Sequence, residues 1–163
     1  MSSQVSEIVP EAFPARTRSV SGEVNGVHTD VTSIAFADKI LFTISQGGRL
    51  AHWVHVPLDI SSDPTALHAN STSYHNDDDG GGDGSAPTSD LLPMSHLTAT
   101  TILGGTVPER ETVGQLCATQ IASAVATKDP DEKRMVVVAL GLQDARMDQS
   151  GFMDVIELIM QVV

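Results

Sequence analysis

The sequence has one cysteine, few aromatic residues and little positive charge, and each scarcity excludes a class of protein. Cys117 is the single thiol among 163 residues, so no disulfide forms within the chain and a reducing compartment is favoured. Nine lysines and arginines stand against 21 aspartates and glutamates, giving a formal net charge of −12. Such a chain is poorly suited to nucleic acid backbones, which are bound by clustered cations. Aromatic residues make up 4% of the chain, so we expect an aliphatic core.

Long hydrophobic runs are also missing from the sequence. No run of 18 apolar residues occurs, so the sequence predicts no membrane-spanning helix. Residues 1–7 lack the basic start and the apolar stretch of a secretory signal peptide. We therefore expect a protein of the cytoplasm, or one shared between the cytoplasm and the nucleus.

Strand-forming residues and tight turns fill the first third of the sequence. Asn25-Gly26 is typical of a two-residue hairpin turn in which both residues have positive φ. Ala37-Asp38 and the glycines after Gln46 separate further runs rich in Val, Ile, Thr and Phe. The pattern predicts a meander of four antiparallel strands at about 17–24, 27–36, 39–46 and 49–57.

Strands alternate with helices in the last part of the sequence. Residues 97–103 and 134–142 predict two more strands. A helix is expected from Thr106, since Glu109 three residues later has capping-box spacing and Pro108 suits a first turn. Asp148 or Ser150 caps a last helix. The stripes expected to be buried are Val113, Leu116, Cys117, Ile121, Ala124 and Val125 on the first helix and Phe152, Val155, Ile156, Ile159, Met160 and Val163 on the second.

The domain organisation predicted from composition is one domain over residues 17–163, preceded by a flexible arm over residues 1–16. The domain is interrupted at about 59–96 by a segment with seven aspartates and no lysine or arginine. A segment of this composition buries too little apolar surface to offset chain entropy, so it is expected to be disordered. The predicted fold class is α+β: an antiparallel six-stranded sheet, built as a four-strand meander followed by strand, helix, strand and helix, with both helices on one face.

The strands are too apolar for a sheet with only one covered face. Residues 40–42 and 136–140 are apolar at both odd and even positions, a pattern typical of strands buried on both faces. Two helices cover one face, so we expect another polypeptide to cover the second face across a dimer. A sheet curled into a closed barrel is the alternative. Alternation separates the bulky residues 40, 42 and 44, which suit contact with the helices, from Leu41, Thr43 and Ser45, which are assigned to the partner face. The smaller set of the last strand, Val137 and Ala139, is assigned to the same face because small side chains let two sheets approach.

No constellation of residues indicates catalysis, a metal site or a cofactor site. His52 and His55 are three apart in a strand and point to opposite faces, so they do not chelate one ion. Cys117 lies among apolar residues of a helix and is interpreted as a buried hydrophobic side chain. Gly104-Gly105 precedes a helix, but the sequence lacks both glycine-rich nucleotide fingerprints and a nucleophile elbow. The sequence predicts a binding protein that is not an enzyme.

The sequence resembles the proteasome assembly chaperone 3 family, as a fungal-type member with an unusually long acidic insertion. The resemblance rests on residues 24–29, continues through Thr32, Phe36, Ile40-Leu41 and 43–46, and returns in 98–104, 135–144 and 155–163. It covers roughly residues 20–57 and 97–163. It implies a small α+β domain that dimerises with a related chaperone 4-type subunit, or with itself, and binds an α-subunit of the α5 type during assembly of the 20S proteasome α-ring.

Two other classes of protein remain open at the level of sequence. A roadblock or longin domain that scaffolds a small GTPase also places helices on one face of a meander, although roadblock domains usually begin with a helix. An N-terminal nucleophile hydrolase is the enzyme alternative. That class needs a processed Thr, Ser or Cys at the chain start, and Thr17, Ser19 and Ser21 offer no such context.

Overall fold

The computed structural model describes residues 15–59, 93–144 and 146–163. Most of the predicted arm and most of the predicted acidic insertion therefore lie outside the described residues. At the edge of that insertion, the Met94 amide donates to Ser123 Oγ at 2.9 Å and Leu97 is buried. The chain thus contacts the domain core slightly earlier than the predicted boundary at about 96.

The described residues form six strands and two helices in the order expected from the sequence. The α+β fold class is confirmed, because a six-stranded sheet carries both helices. The elements are β1 Arg16–Val24, β2 Val27–Ala35, β3 Lys39–Ser45, β4 His52–Val56, β5 Thr100–Leu103, α1 Pro108–Lys128, β6 Met135–Gly141 and α2 Gln149–Met160.

The strand order differs from a simple meander. The order across the sheet is β1-β2-β3-β6-β4-β5, so β6 separates β3 from β4 and the meander has three strands rather than four. β6 pairs parallel with β3 and antiparallel with β4, so the sheet is mixed rather than antiparallel throughout. The reason is the helix α1, which returns the chain to the end where β5 began and thereby gives β6 the direction of β5. The apolar β6 then lies in the middle of the sheet, with neighbours on both edges.

Both helices pack against the same face of the sheet. A Cβ added to Gly22 of β1 would meet Leu158 of α2 at 2.6 Å, and one added to Gly114 of α1 would meet His52 of β4 at 2.2 Å. Gly22 and His52 share a face, because the cross-strand row of Val20, Val31, Ile44, Leu140 and His52 connects their two strands in register. The buried core between this face and the helices is aliphatic apart from Phe42 and Cys117.

The helix ends and buried stripes match the sequence in part. Asp148 caps α2 and accepts a hydrogen bond from the Gly151 amide at 2.9 Å, as predicted. The capping box at Thr106 is wrong, since Val107 is the N-cap of α1 and no side chain caps it. Leu116 and Met160 are exposed rather than buried. α1 instead buries Gly114, Ala118 and Ala122, because small residues allow it to lie close to the sheet. Neither helix is long and apolar enough to cross a membrane.

The connection from β3 to β4 has to bridge the end of β6, and Gly141 makes that passage possible. A Cβ at Gly141 would lie 1.6 Å from the backbone oxygen of Arg49. The oxygen belongs to the backbone and the position of a Cβ is set by the backbone, so no change of rotamer relieves the clash.

Gly141→Ala is expected to lower the free energy of unfolding by about 3 kcal/mol or more, because it overpacks a backbone contact. The matched control is Gly48→Ala. Its added Cβ meets nothing within 4 Å, while its φ of +71° is strained for alanine, so a loss of about 1 kcal/mol is expected. Urea unfolding followed by circular dichroism measures both. Equal losses in the two variants would contradict the close crossing.

Candidate partner interface

The face of the sheet opposite the helices is the candidate functional site, and we call it the open face. Its side chains follow from the register, since each lies one residue away from a helix-facing position. Leu41 is in register with Ile34 of β2 and Val137 of β6, and His55 of β4 continues this row beyond Val137. The open face includes Thr17, Ser19, Ser21, Glu23, His28, Asp30, Thr32, Ile34, Lys39, Leu41, Thr43, Ser45, Trp53, His55, Thr100, Ile102, Leu103, Met135, Val137 and Ala139.

All five residues predicted for the partner face lie on the open face, on the two central strands. Leu41 pairs with Val137, and Thr43 pairs with Ala139. Ser45 pairs with Gly141, next to the crossing of the Arg49 loop. Ala139 is already buried within the chain, so it forms a low floor between Thr43 and Trp53 rather than a projecting contact. Whether these residues contact a partner stays a prediction.

Four large apolar residues of the open face were missed at the sequence level. Ile34 and Trp53 are half-buried and extend the apolar rows on β2 and β4. Ile102 and Leu103 of β5 are 55% and 63% exposed. The register shifts between Trp53 and Val54, so that Ile102 is an extra residue in β5 and both Ile102 and Leu103 remain accessible. Alternation of side chains along β4 could have assigned Trp53 to the open face. No local sequence pattern predicts the bulge in β5.

The open face changes character towards its β1 edge. Ser19 Oγ and Thr32 Oγ1 share a hydrogen bond of 2.9 Å, and Ser21 Oγ donates to Asp30 Oδ1 at 2.6 Å. His28 Nε2 lies 3.3 Å from the same Asp30 oxygen. These side chains make β1 and β2 the more polar side of the open face, while its large apolar side chains other than Ile34 occupy β3, β6, β4 and β5. A partner with an apolar centre and a polar rim on one side fits this division.

The sheet is open, which excludes the closed-barrel alternative. β1 and β5 are its two edges, and no pairing joins them. The apolar side chains of the second face are therefore not hidden inside the described part of the chain.

The remaining candidates for chemistry have structural roles. His52 faces the helices and His55 faces the other way, as predicted. His52 Nε2 lies 3.2 Å from Thr101 Oγ1, and desolvation lowers the pKa of His52. Burial raises the pKa of the Cys117 thiol to about 12, so this side chain stays protonated and unreactive at neutral pH. Among residues 15–59, 93–144 and 146–163, no three His, Cys, Asp or Glu side chains are grouped to hold a metal ion.

Comparison with known proteins finds similarity in structure rather than in sequence. No protein-family model matches the sequence, and no curated protein matches it. The structure is similar to that of a chain in the crystal structure of a novel chaperone complex for yeast 20S proteasome assembly, with a TM-score of 0.51. The two sequences are 14% identical, and the match covers 90% of this chain and 97% of that chain. At this identity the similarity shows a shared fold.

Neighbouring residues of β3 provide a direct test of the two faces. Leu41→Glu places its carboxylate on the open face, where water reaches it, so the free energy of unfolding is expected to change by about 1 kcal/mol or less. Phe42→Glu places the same group on the helix face, where Phe42 is 1% exposed. This variant is expected to lose more than about 4 kcal/mol or to fail to fold. Urea unfolding of the isolated monomers distinguishes the two outcomes. Equal destabilisation would show that both faces are closed.

Proposed function

We propose that this chain is a non-enzymatic chaperone of 20S proteasome assembly that acts in the cytoplasm or nucleus as a dimer with a related subunit. The observation that carries the proposal is the open face, an apolar sheet surface that neither α1 nor α2 covers. The shared fold with the yeast assembly chaperone complex supports the choice of this function over other roles of a binding domain.

The composition of the open face suits packing of sheet on sheet. Two sheets pack about 10 Å apart when the side chains of their inner faces interdigitate. Ala139, Thr43 and Ser45 are small and leave room over the centre, and Leu41 and Trp53 project on either side of it. A related chain with a similar six-stranded sheet supplies a surface of matching size and twist. The Asp30 side of the open face then forms the polar rim.

The resemblance of the sequence to chaperone 3 proteins extends the proposal to particular partners. The dimer partner is a chaperone 4-type subunit, and the client is a proteasome α-subunit of the α5 type, held while the α-ring forms. If the open face is covered by the dimer partner, the client contacts the helices, the loops or the sheet edges. This division leaves dimerisation and client binding separable by mutation.

Co-expression with the chaperone 4-type subunit of the same organism tests the dimer. Size-exclusion chromatography with light scattering is expected to give a 1:1 complex for the wild-type chain. Leu41→Glu is expected to abolish the complex, because an interface rarely tolerates a buried carboxylate without a partner.

The matched control for that experiment is Met153→Glu, on the exposed surface of α2, where Met153 is 39% exposed. This variant is expected to form the complex normally. A complex that tolerates Leu41→Glu but is lost with Met153→Glu would place dimerisation on the helix side and overturn the assignment.

Purified α-subunits test the client. The wild-type dimer, immobilised through its partner subunit, is expected to retain a recombinant α-subunit of the α5 type and to ignore the mature 20S particle. Retention of a small GTPase in place of any α-subunit would favour the scaffold alternative. Retention of neither class would remove the support for a role in proteasome assembly.

A further inference from the structure

A second candidate site lies on the helix side of the sheet, at the end of the molecule where β1 begins and both helices finish. A cavity of about 360 Å³ opens there to solvent, within the size range of protein ligand sites. Its floor is apolar and includes Phe42, Val125 and Val162. The open face is on the opposite side of the sheet, so this cavity is separate from the proposed dimer interface.

Positive charge is concentrated around this cavity. Arg16, Arg18, Lys128 and Arg134 line it, which is four of the nine lysines and arginines of a chain with a net charge of −12. Two acidic residues, Asp129 and Glu132, also line it. The cavity is therefore a positive area on an otherwise acidic protein, and such an area attracts anionic groups locally.

One of the two acidic residues is already neutralised. Glu132 binds Arg134 through both carboxylate oxygens, with Nε donating to Oε1 at 2.9 Å and Nη2 donating to Oε2 at 2.5 Å. The Arg134 hydrogen bond holds the pKa of Glu132 at about 2. Arg134 Nη1 also donates to the Phe36 backbone oxygen. This pair forms a rigid and electrically neutral wall of the cavity.

The other three cations retain unused hydrogen-bond donors. Arg18 Nη1 donates to the backbone oxygen of Val163 at 2.8 Å, and Lys128 Nζ donates to the same atom. A guanidinium has five N–H donors and an ammonium has three, so both side chains have capacity left. The Arg16 side chain makes no hydrogen bond or ion pair within the described part of the chain. Asp129 also lines the cavity, and its Oδ1 accepts a hydrogen bond from the Asp131 amide at 3.2 Å.

We propose that this cavity binds an acidic peptide segment of a protein client, with a carboxylate between Arg16, Arg18 and Lys128 and an adjoining apolar side chain on the Phe42 floor. Charge-assisted hydrogen bonds from arginine to a carboxylate are among the stronger polar contacts. The apolar floor can bury an apolar side chain of the peptide, which a free inorganic anion or a small dicarboxylate does not have. An extended peptide that alternates acidic and apolar residues presents both groups together.

Two synthetic peptides test the proposal on the full-length chain. The first is fluorescently labelled Leu-Asp-Leu-Asp-Leu with blocked ends, and the second replaces each aspartate with asparagine. Fluorescence anisotropy in about 0.15 M salt, where exposed charges farther apart than about 8 Å are screened, is expected to show the acidic peptide bound about tenfold more tightly. Equal affinity for the two peptides would overturn the proposal. Competition by free glutarate at equal strength would assign the cavity to small carboxylates instead.

Single substitutions locate the binding site. Arg16→Gln removes a cationic side chain that has no partner within the described part of the chain. It is expected to lower the affinity for the acidic peptide about fivefold to tenfold without changing the stability of the fold. Arg18→Gln is expected to act in the same direction, although it also releases the Val163 oxygen. The matched control is Arg49→Gln, a cation of the β3–β4 connection outside the cavity, which is expected to leave affinity unchanged. Unchanged affinity in Arg16→Gln would contradict the site.

The peptide result is independent of the proposed dimer. Leu41→Glu alters the open face alone and is expected to bind the acidic peptide normally, whereas Arg16→Gln is expected to dimerise normally. A chain that binds the peptide but never dimerises would refute the proposed function and leave this site standing.

Discussion

The position of β6 between β3 and β4 is the constraint on which the rest of the structure depends. β6 forms a parallel ladder with β3 and an antiparallel ladder with β4, so this strongly apolar strand is one of the two central strands of the sheet. α1 has to return the chain across one face to reach this position, and α2 then completes the cover of that face. The connection between β3 and β4 is forced across the end of β6, where Gly141 alone leaves it room.

This arrangement explains why the two faces differ in what they can do. The helix face is closed by Cys117, Ile121, Val155 and Ile159, all of which are fully or almost fully buried, so it contributes stability rather than recognition. The open face keeps Leu41 and Trp53 partly accessible and adds Ile102 and Leu103 at the β5 edge. A surface of this kind, with an apolar centre and a polar side near Asp30, fits a protein partner.

The sequence was sufficient to predict the order of strands and helices, and to predict which residues of a strand share a face. Asn25 and Gly26 have φ of 51° and 73°, as the hairpin turn required, and the alternation along β3 placed Leu41 and Phe42 on opposite faces. The insertion of β6 was not predictable, because the pairing of distant strands leaves no trace in local periodicity. The prediction that Leu116 is buried was wrong for a related reason. The face that α1 buries is selected by how closely Gly114 approaches His52, which depends on tertiary packing rather than on hydrophobicity.

Trp53 is the single tryptophan of the chain and lies on the open face, so its fluorescence reports directly on whether a partner covers that face. The decisive measurement is the emission and acrylamide quenching of Trp53 during titration with a chaperone 4-type subunit whose own tryptophans are replaced by phenylalanine. The account predicts a shift to shorter wavelength and reduced quenching at a 1:1 ratio. A chain with Trp53→Phe and Met153→Trp, which reports from α2, is expected to show neither change. A complex that forms while Trp53 remains fully quenchable would contradict the claim that the open face is the dimer interface.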